Sequence, residues 1–165
     1  MKNLWAPWRI KYIEESYLVK NKSKHTGCFL CVKKSKTADE KNLILKRGRY
    51  GFVIMNHYPY NAGHLMIAPY RHIGDLEKIR PAEASELFLL VQQSIVALKK
   101  AYHPDAFNIG MNLGIVAGAG VPGHLHIHLI PRWSGDTNFM PIVAETKVIN
   151  EELKVMYHKL KKHLR

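Results

Sequence analysis

The sequence predicts an α+β domain: about five antiparallel strands, a long helix packed on one face of the sheet and a C-terminal helix. Three observations carry this. Runs rich in β-branched and aromatic residues follow one another between residues 42 and 69, on connections shorter than the roughly dozen residues a parallel crossover needs. One long stretch, from Pro81 to just before Pro104, repeats its apolar residues at helical spacing. Two further strand-like runs then follow, the second alternating polar and apolar residues strictly. This order suits a sheet with helices gathered on one side.

The elements read in order. "NLILKRG" (42–48), "YGFVIMN" (50–56) and "AGHLMIAP" (62–69) are three strands separated by Gly, Pro and Asn. The helix opens on Pro81, a residue suited to the first helical position. Ala84, Leu87, Phe88, Val91, Ile95, Leu98 and Tyr102 lie on one face, the expected core face. "AFNIGMN" (106–112) and "HLHIHLIPR" (124–132) are the fourth and fifth strands. A last helix is expected from Asn150, whose side chain can cap free amides, with Glu151 and Glu152 in the positive first turn. Residues 1–40 read as irregular, lysine-rich and, at most, one helical turn near residues 10–16. No internal repeat or low-complexity tract interrupts the pattern.

At 165 residues with 47% hydrophobic content, the chain is expected to form a single domain over residues 1–165. No apolar run approaches the roughly 20 residues of a membrane span, and the N-terminus lacks the pattern of a secretory signal. A cytoplasmic protein without membrane attachment is expected. Twenty-five Lys and Arg against 13 Asp and Glu give a net charge of +12, a field that favours anionic partners. The charge alone does not choose among nucleic acid, an anionic membrane surface and a small polyphosphate, but the basic runs carry no interleaved aromatics of the kind that stack unpaired bases. His57, His103, His158 and His163 read as loop or helix-end residues.

The alternation in "HLHIHLIPR" sends Leu125, Ile127 and Leu129 to the core and His124, His126 and His128 to the other face. Successive histidines stand about 6–7 Å apart along the strand, which puts the outer pair too far apart for all three to bind one tetrahedral metal. The row therefore divides its duties. Carboxylates are sparse nearby, so a neutral imidazole attacking phosphorus is the better chemistry, with a neighbouring ring stabilising the oxygens. Just upstream, "NLGIVAGAGVPG" (112–123) offers small residues through which backbone amides can approach an anion, above all at Gly118, Ala119 and Gly120. It is not a Walker loop, having no Gly-Lys-Ser/Thr.

These residues resemble the histidine triad (HIT) superfamily, nucleotide hydrolases and transferases acting at the α-phosphorus. "HLHIHLIPR" matches its His-x-His-x-His-x-x signature, and "NHYPYNAGHLMIAPYRHIGDL" (56–76) is similar to its strand-turn-strand with a Gly-His pair, here Gly63 and His64. The resemblance implies a catalytic set of His126 as nucleophile, His128 against the phosphate and His64 beside the row. It also implies that Asn56 reaches the ribose and Asn112 the phosphate or its ribose. Common branches carry Gly-Gln-Ser/Thr-Val before the triad; here "AGAGVPG" supplies neither Gln nor hydroxyl. "NLWAPWRIKYI", "AGAG" and "PRWSGDTNFMP" are similar to a bacterial branch that includes diadenosine tetraphosphate phosphorylases. The expected activity is cleavage of a dinucleoside polyphosphate through adenylyl-histidine, with water or phosphate as acceptor; a nucleoside phosphoramidase, a nucleotide-binding module and an inert zinc scaffold are the alternatives. Arg132 and Trp133, with Ser134, Asp136, Thr137 and Asn138, are candidates for substrate contact, though an ordinary capped turn accounts for them as well.

Cys28 and Cys31 form the sequence's one Cys-x-x-Cys pair and have no third cysteine to bridge to. Such a pair suits a dithiol redox site or half of a zinc site completed by histidines, with His25 a possible ligand. The family resemblance implies zinc on Cys28, Cys31, His72 and His124. It also implies a homodimer joined through the sheet and long helix.

Overall fold

The computed structural model describes residues 28–31, 38–136, 149 and 151–164. The expected turn at 10–16 and His25 lie outside them. Among the described residues, five strands form one antiparallel sheet: β1 (Ile44–Arg47), β2 (Gly51–Met55), β3 (Leu65–Pro69), β4 (Ala106–Gly110) and β5 (Ile127–Arg132), in the order β1-β2-β3-β5-β4. The long helix α1 runs from Pro81 to Tyr102 and the C-terminal helix α2 from Leu153 to Lys161. A short 3-10 turn, Leu76–Lys78, joins β3 to α1. Among the described residues, no helix is long and apolar enough to cross a membrane.

The pairing registers assign the faces. Met55, Leu65 and Leu129 lie side by side, as do Val53, Ile67 and Ile127, while Met66 stands beside His128. The first two sets face α1, and the row containing His128 faces away. Helix α1 sits low on the sheet because Gly51 has no side chain: a Cβ there would lie 2.6 Å from Leu87 Cδ2. It also grips the β1–β2 turn. The Glu86 carboxylate accepts the amides of Arg49, Tyr50 and Gly51 at 2.8, 2.5 and 2.9 Å. Helix α2 closes the β1 side, where Tyr157 Oη donates to the Ile44 carbonyl and Lys161 Nζ to that of Leu45.

Three expectations are corrected. Phe88 is 63% exposed, because the sheet covers the stripe Leu87, Leu90, Val91, Ser94, Ala97 and Leu98, and residue 88 falls on its flank. Helix α2 begins at Leu153, with Glu152 as its N-cap and no acidic residue in its first turn. Glu151 instead accepts the Tyr102 hydroxyl at 2.5 Å, and Asn150 lies outside the described residues. Finally, β5 begins at Ile127 and not at His124. In this register Ala68 would come next, beside His126, and then Pro69 beside Leu125, the next pair due to exchange ladder bonds after Ile67 and Ile127, where proline has no N–H to give. Leu125 donates its amide to the Ile73 carbonyl instead, at 2.6 Å.

Candidate functional site

The histidines divide at that break in the ladder. His126 and His128 stand together, ring centroids 4.8 Å apart, while His124 turns toward the segment after β3. Each ring's protons follow from its partners. His126 Nδ1 lies 2.8 Å from the His124 carbonyl, which can only accept, so Nδ1 carries hydrogen and the neutral ring keeps its lone pair on Nε2.

On the other side of His128, the Tyr60 amide donates to His64 Nδ1 at 3.1 Å. Asn56 Oδ1 accepts the Tyr58 amide, which leaves its Nδ2 3.3 Å from the same His64 nitrogen. With donors on Nδ1, the His64 proton resides on Nε2, which lies 2.9 Å from His128 Nδ1. Burial, followed by repulsion from His126, lowers the His128 pKa to about 4. That ring is neutral at pH 7, accepts at Nδ1 and carries its proton on Nε2. One ring thus keeps a bare nitrogen, and its neighbour an N–H: a lone pair beside a donor.

His64 is 1% exposed and spends both nitrogens on protein groups. It lies beside the row as expected, with its ring hydrogen-bonded to that of His128. Asn56, expected at the ribose, is joined to this same relay. Tyr60, whose ring lies 4.6 Å from that of His64 and 5.8 Å from that of His128, was missed by the sequence reading. The signal was its position four residues before His64, where a strand-turn-strand folds back on the ring.

The second cluster gathers Cys28, Cys31, His72 and His124, whose four donor atoms all lie within 4.8 Å of one another. Cys31 Sγ is 3.2 Å from His72 Nδ1, and Cys28 Sγ and Cys31 Sγ are 3.4 and 3.6 Å from His124 Nδ1. A tetrahedral ion with bonds of about 2.0–2.3 Å sets its ligands about 3.3–3.8 Å apart; these three approaches lie close to that range, and the rest of the set, within 4.8 Å, needs at most a small inward shift. The tautomer also fits: His124 donates Nε2–H to the Pro69 carbonyl at 2.8 Å and turns its Nδ1 lone pair toward the thiols. Burial lowers the His124 pKa and favours the neutral form that a metal requires.

The remaining candidates fare differently. Asn112 Nδ2 donates to the Gly118 carbonyl at 3.4 Å and ties down the glycine-rich loop. In that loop the Gly118 and Ala119 amides, expected to meet an anion, donate to the carbonyls of Ile115 and Gly114; Gly118 itself adopts φ +87°. Gly120 is exposed, with no described atom within 4 Å of where a Cβ would stand. Arg132 is committed elsewhere. Its guanidinium donates to both Asp136 oxygens at 2.6 and 2.8 Å and to Asn108 Oδ1 at 2.7 Å, and it holds the Asp136 carboxyl well below the usual carboxylate range. Trp133 donates its indole N–H to the Tyr102 carbonyl, and the Ser134 amide donates to Asp105. These residues brace the corner between α1, β4 and β5, about 13 Å along the strand from His128. The structure does not bring Arg132 and Trp133 to the row as expected, because their polar groups are already paired. Thr137 and Asn138 lie outside the described residues.

Residues 36–135 match the HIT domain family. The chain belongs to that family. A Mycobacterium tuberculosis relative named AP-4-A phosphorylase is 37% identical over 155 residues, covering 93% of this HIT protein and 80% of the relative. The Schizosaccharomyces pombe asymmetrical bis(5'-nucleosyl)-tetraphosphatase is 32% identical over 66% of this chain and 59% of its own. Among solved structures, a zinc-bound histidine triad family protein from Mycobacterium smegmatis superposes with a TM-score of 0.63 at 20% identity, covering 83% of this HIT protein and 92% of its own chain. That likeness establishes the fold.

Proposed function

We propose that this HIT protein cleaves dinucleoside polyphosphates of the diadenosine tetraphosphate type at the α-phosphorus. The carrying observation is the pair of fixed tautomers: His126 with Nδ1–H on the His124 carbonyl, and His128 with its proton on Nε2. The relatives' names give the substrate class. In the first step the His126 Nε2 lone pair forms a bond to the α-phosphorus while the P–O bond to the leaving nucleotide breaks. Diadenosine tetraphosphate then releases ATP and leaves adenylyl-histidine. His128 Nε2–H meets the charge growing on a non-bridging oxygen. In the second step an acceptor oxygen attacks the same phosphorus and the P–N bond breaks, returning the pair to His126. Water yields AMP; inorganic phosphate yields ADP.

Cys28, Cys31, His72 and His124 fit zinc by donor type, spacing and tautomer, and would hold it. The ion's contribution there is structural, since all four positions are taken by protein. Reduced thiols suit a cytoplasmic setting. The chain pairs with a second copy along β4, an edge strand with no partner on its outer side among the described residues. Its Ile109, together with Phe88, Leu89 and Val96 of α1, presents apolar surface 50–63% exposed.

The test is incubation with diadenosine tetraphosphate, with and without phosphate, followed by product separation and by an alkaline denaturing quench that preserves the acid-labile P–N bond of labelled protein. ATP with AMP or ADP is expected, and His126→Ala should form no adduct. Turnover unchanged in that variant would overturn the assignment.

A further inference from the structure

We infer that Tyr60 is a positioning residue for the reacting row: its ring covers the hydrogen bond between His64 and His128 and keeps His128 presenting its N–H on Nε2. The inference rests on the proposed pairing of His126 with that donor. Three rings meet at this corner. The His64 and His128 centroids are 5.1 Å apart, and the Tyr60 centroid lies 4.6 Å from the first and 5.8 Å from the second. One phenol ring therefore packs against both partners of the 2.9 Å bond at once. Tyr60 is 49% exposed while His64 and His128 are buried, so the phenol forms the outer layer of the stack.

The loop holds that ring in place. On one side, Asn56 Oδ1 accepts the Tyr58 amide. On the other, the buried Asn61 donates to the Pro131 carbonyl at 3.2 Å and to the Asp136 carboxylate at 2.7 Å, and its own carbonyl accepts the His64 amide. The Tyr60 amide itself donates to His64 Nδ1. Tyr60 thus acts on the relay twice: its backbone sets the His64 proton on Nε2, and its side chain shields the bond that this proton makes. Shielding matters because water reaching either nitrogen can take the other's place, and because a hydrogen bond strengthens as the local dielectric falls. Cover also disfavours charge, since burial is the larger of the two causes that lower the His128 pKa. A protonated His128 would carry hydrogen on both nitrogens and oppose the His64 N–H. The titratable groups facing His128 are Tyr60 and His64 from the loop between β2 and β3, and His126 from the segment before β5; its neighbours on β3 and β4, Met66 and Gly110, carry no charge.

Every substitution except proline keeps the amide of residue 60, so side-chain variants isolate the ring. The experiment compares the full chain as wild type, Tyr60→Phe and Tyr60→Ala. The His128 ring nitrogens are followed against pH by long-range proton–nitrogen NMR, and kcat and KM are measured on diadenosine tetraphosphate at neutral pH. In Tyr60→Ala the His128 titration midpoint should rise by about one pH unit or more, and the share of rings with hydrogen on Nδ1 should increase. Its kcat should fall about three- to tenfold, with KM within about threefold of wild type. Tyr60→Phe keeps the cover and loses only the hydroxyl, so its midpoint should be that of the wild type and its kcat within about twofold. An unmoved His128 midpoint in Tyr60→Ala overturns the inference. So does a Tyr60→Phe variant as impaired as Tyr60→Ala, because the hydroxyl would then be the acting group. A wild type that forms no adenylyl adduct would overturn the proposed activity; the titration, which needs no substrate, would still decide for or against the cover. The contacts of Asn56 and Asn61 hold the loop without the ring. Should Tyr60→Ala nonetheless fail to fold, Tyr60→Val, too short to span both imidazoles, gives the same comparison.

Discussion

Removing His64 tests the tautomer relay directly. The ring is 1% exposed, and its Nε2–H reaches His128 Nδ1 at 2.9 Å. In His64→Ala that nitrogen loses its donor, and the His128 proton can move to Nδ1, where it no longer faces the phosphate. Deleting an oxyanion donor outright costs on the order of 100- to 1000-fold in kcat. Here the donor survives but is no longer fixed, so the loss is bounded above by that figure and below by a buried hydrogen bond worth about 1–1.5 kcal/mol. A fall in kcat of about 10- to 100-fold is expected, or roughly 1.4–2.7 kcal/mol in the barrier. Because the side chain is buried, the same change should also lower stability by about 2–3 kcal/mol. His64→Gln separates the two effects, since its amide can donate from nearly the position of Nε2; its kcat should stay within about fivefold of wild type. The assay is steady-state turnover at pH 7.5 with circular dichroism as a folding control, and NMR reports which His128 nitrogen bears hydrogen. Equal losses in both variants, or a wild-type His128 proton on Nδ1, would refute the reasoning.

Glu86→Ala leaves three turn amides without their acceptor; urea denaturation should show a loss of about 2–4 kcal/mol with an unchanged slope. The buried His128 has a folded pKa near 4, below its ordinary value of 6.5, so the unfolded chain binds more protons between those values. Stability from this group is present above about pH 6.5 and lost as pH falls toward 4, by on the order of 1–2 kcal/mol after allowing for solvent screening. Subtracting the pH–stability curve of His128→Gln from that of the wild type should isolate this slope. Phe88→Glu with Ile109→Lys should convert a dimer to a monomer by light scattering while far-ultraviolet dichroism holds; a wild type already monomeric at working concentration would dispose of the β4 pairing.

The architecture was largely legible because its signals are periodic. Alternation from Ile127 onward placed Leu129 and His128 on opposite faces, and helical spacing placed Leu87, Val91 and Leu98 toward the sheet. That the histidine row must divide was also readable, since three rings on one strand cannot close on one ion; that His124 is the one set apart was implied only by the family resemblance. What periodicity could not convey was competition for the same atoms. Arg132 looked available for phosphate until Asp136 and Asn108 were seen to occupy it. Phe88 fits the apolar stripe by angle alone, but a flat sheet covers only part of a helix. The start of β5 depended on one missing N–H across the sheet at Pro69, a fact about a partner strand. The proton positions on His64 and His128 depend on the Tyr60 amide, which no pattern of side chains records.

Proline at position 69 has one more consequence. As phosphorus closes from a near-attack separation of about 3–3.5 Å to a covalent bond, the attacking imidazole or the substrate must travel. Because the ladder stops at Ile127, the backbone that carries the proposed nucleophile is tied by the amide contacts of Leu125 to Ile73 and of His124 to Val121 in place of strand pairing, so a change at either contact can shift the His126 ring without unpairing the sheet.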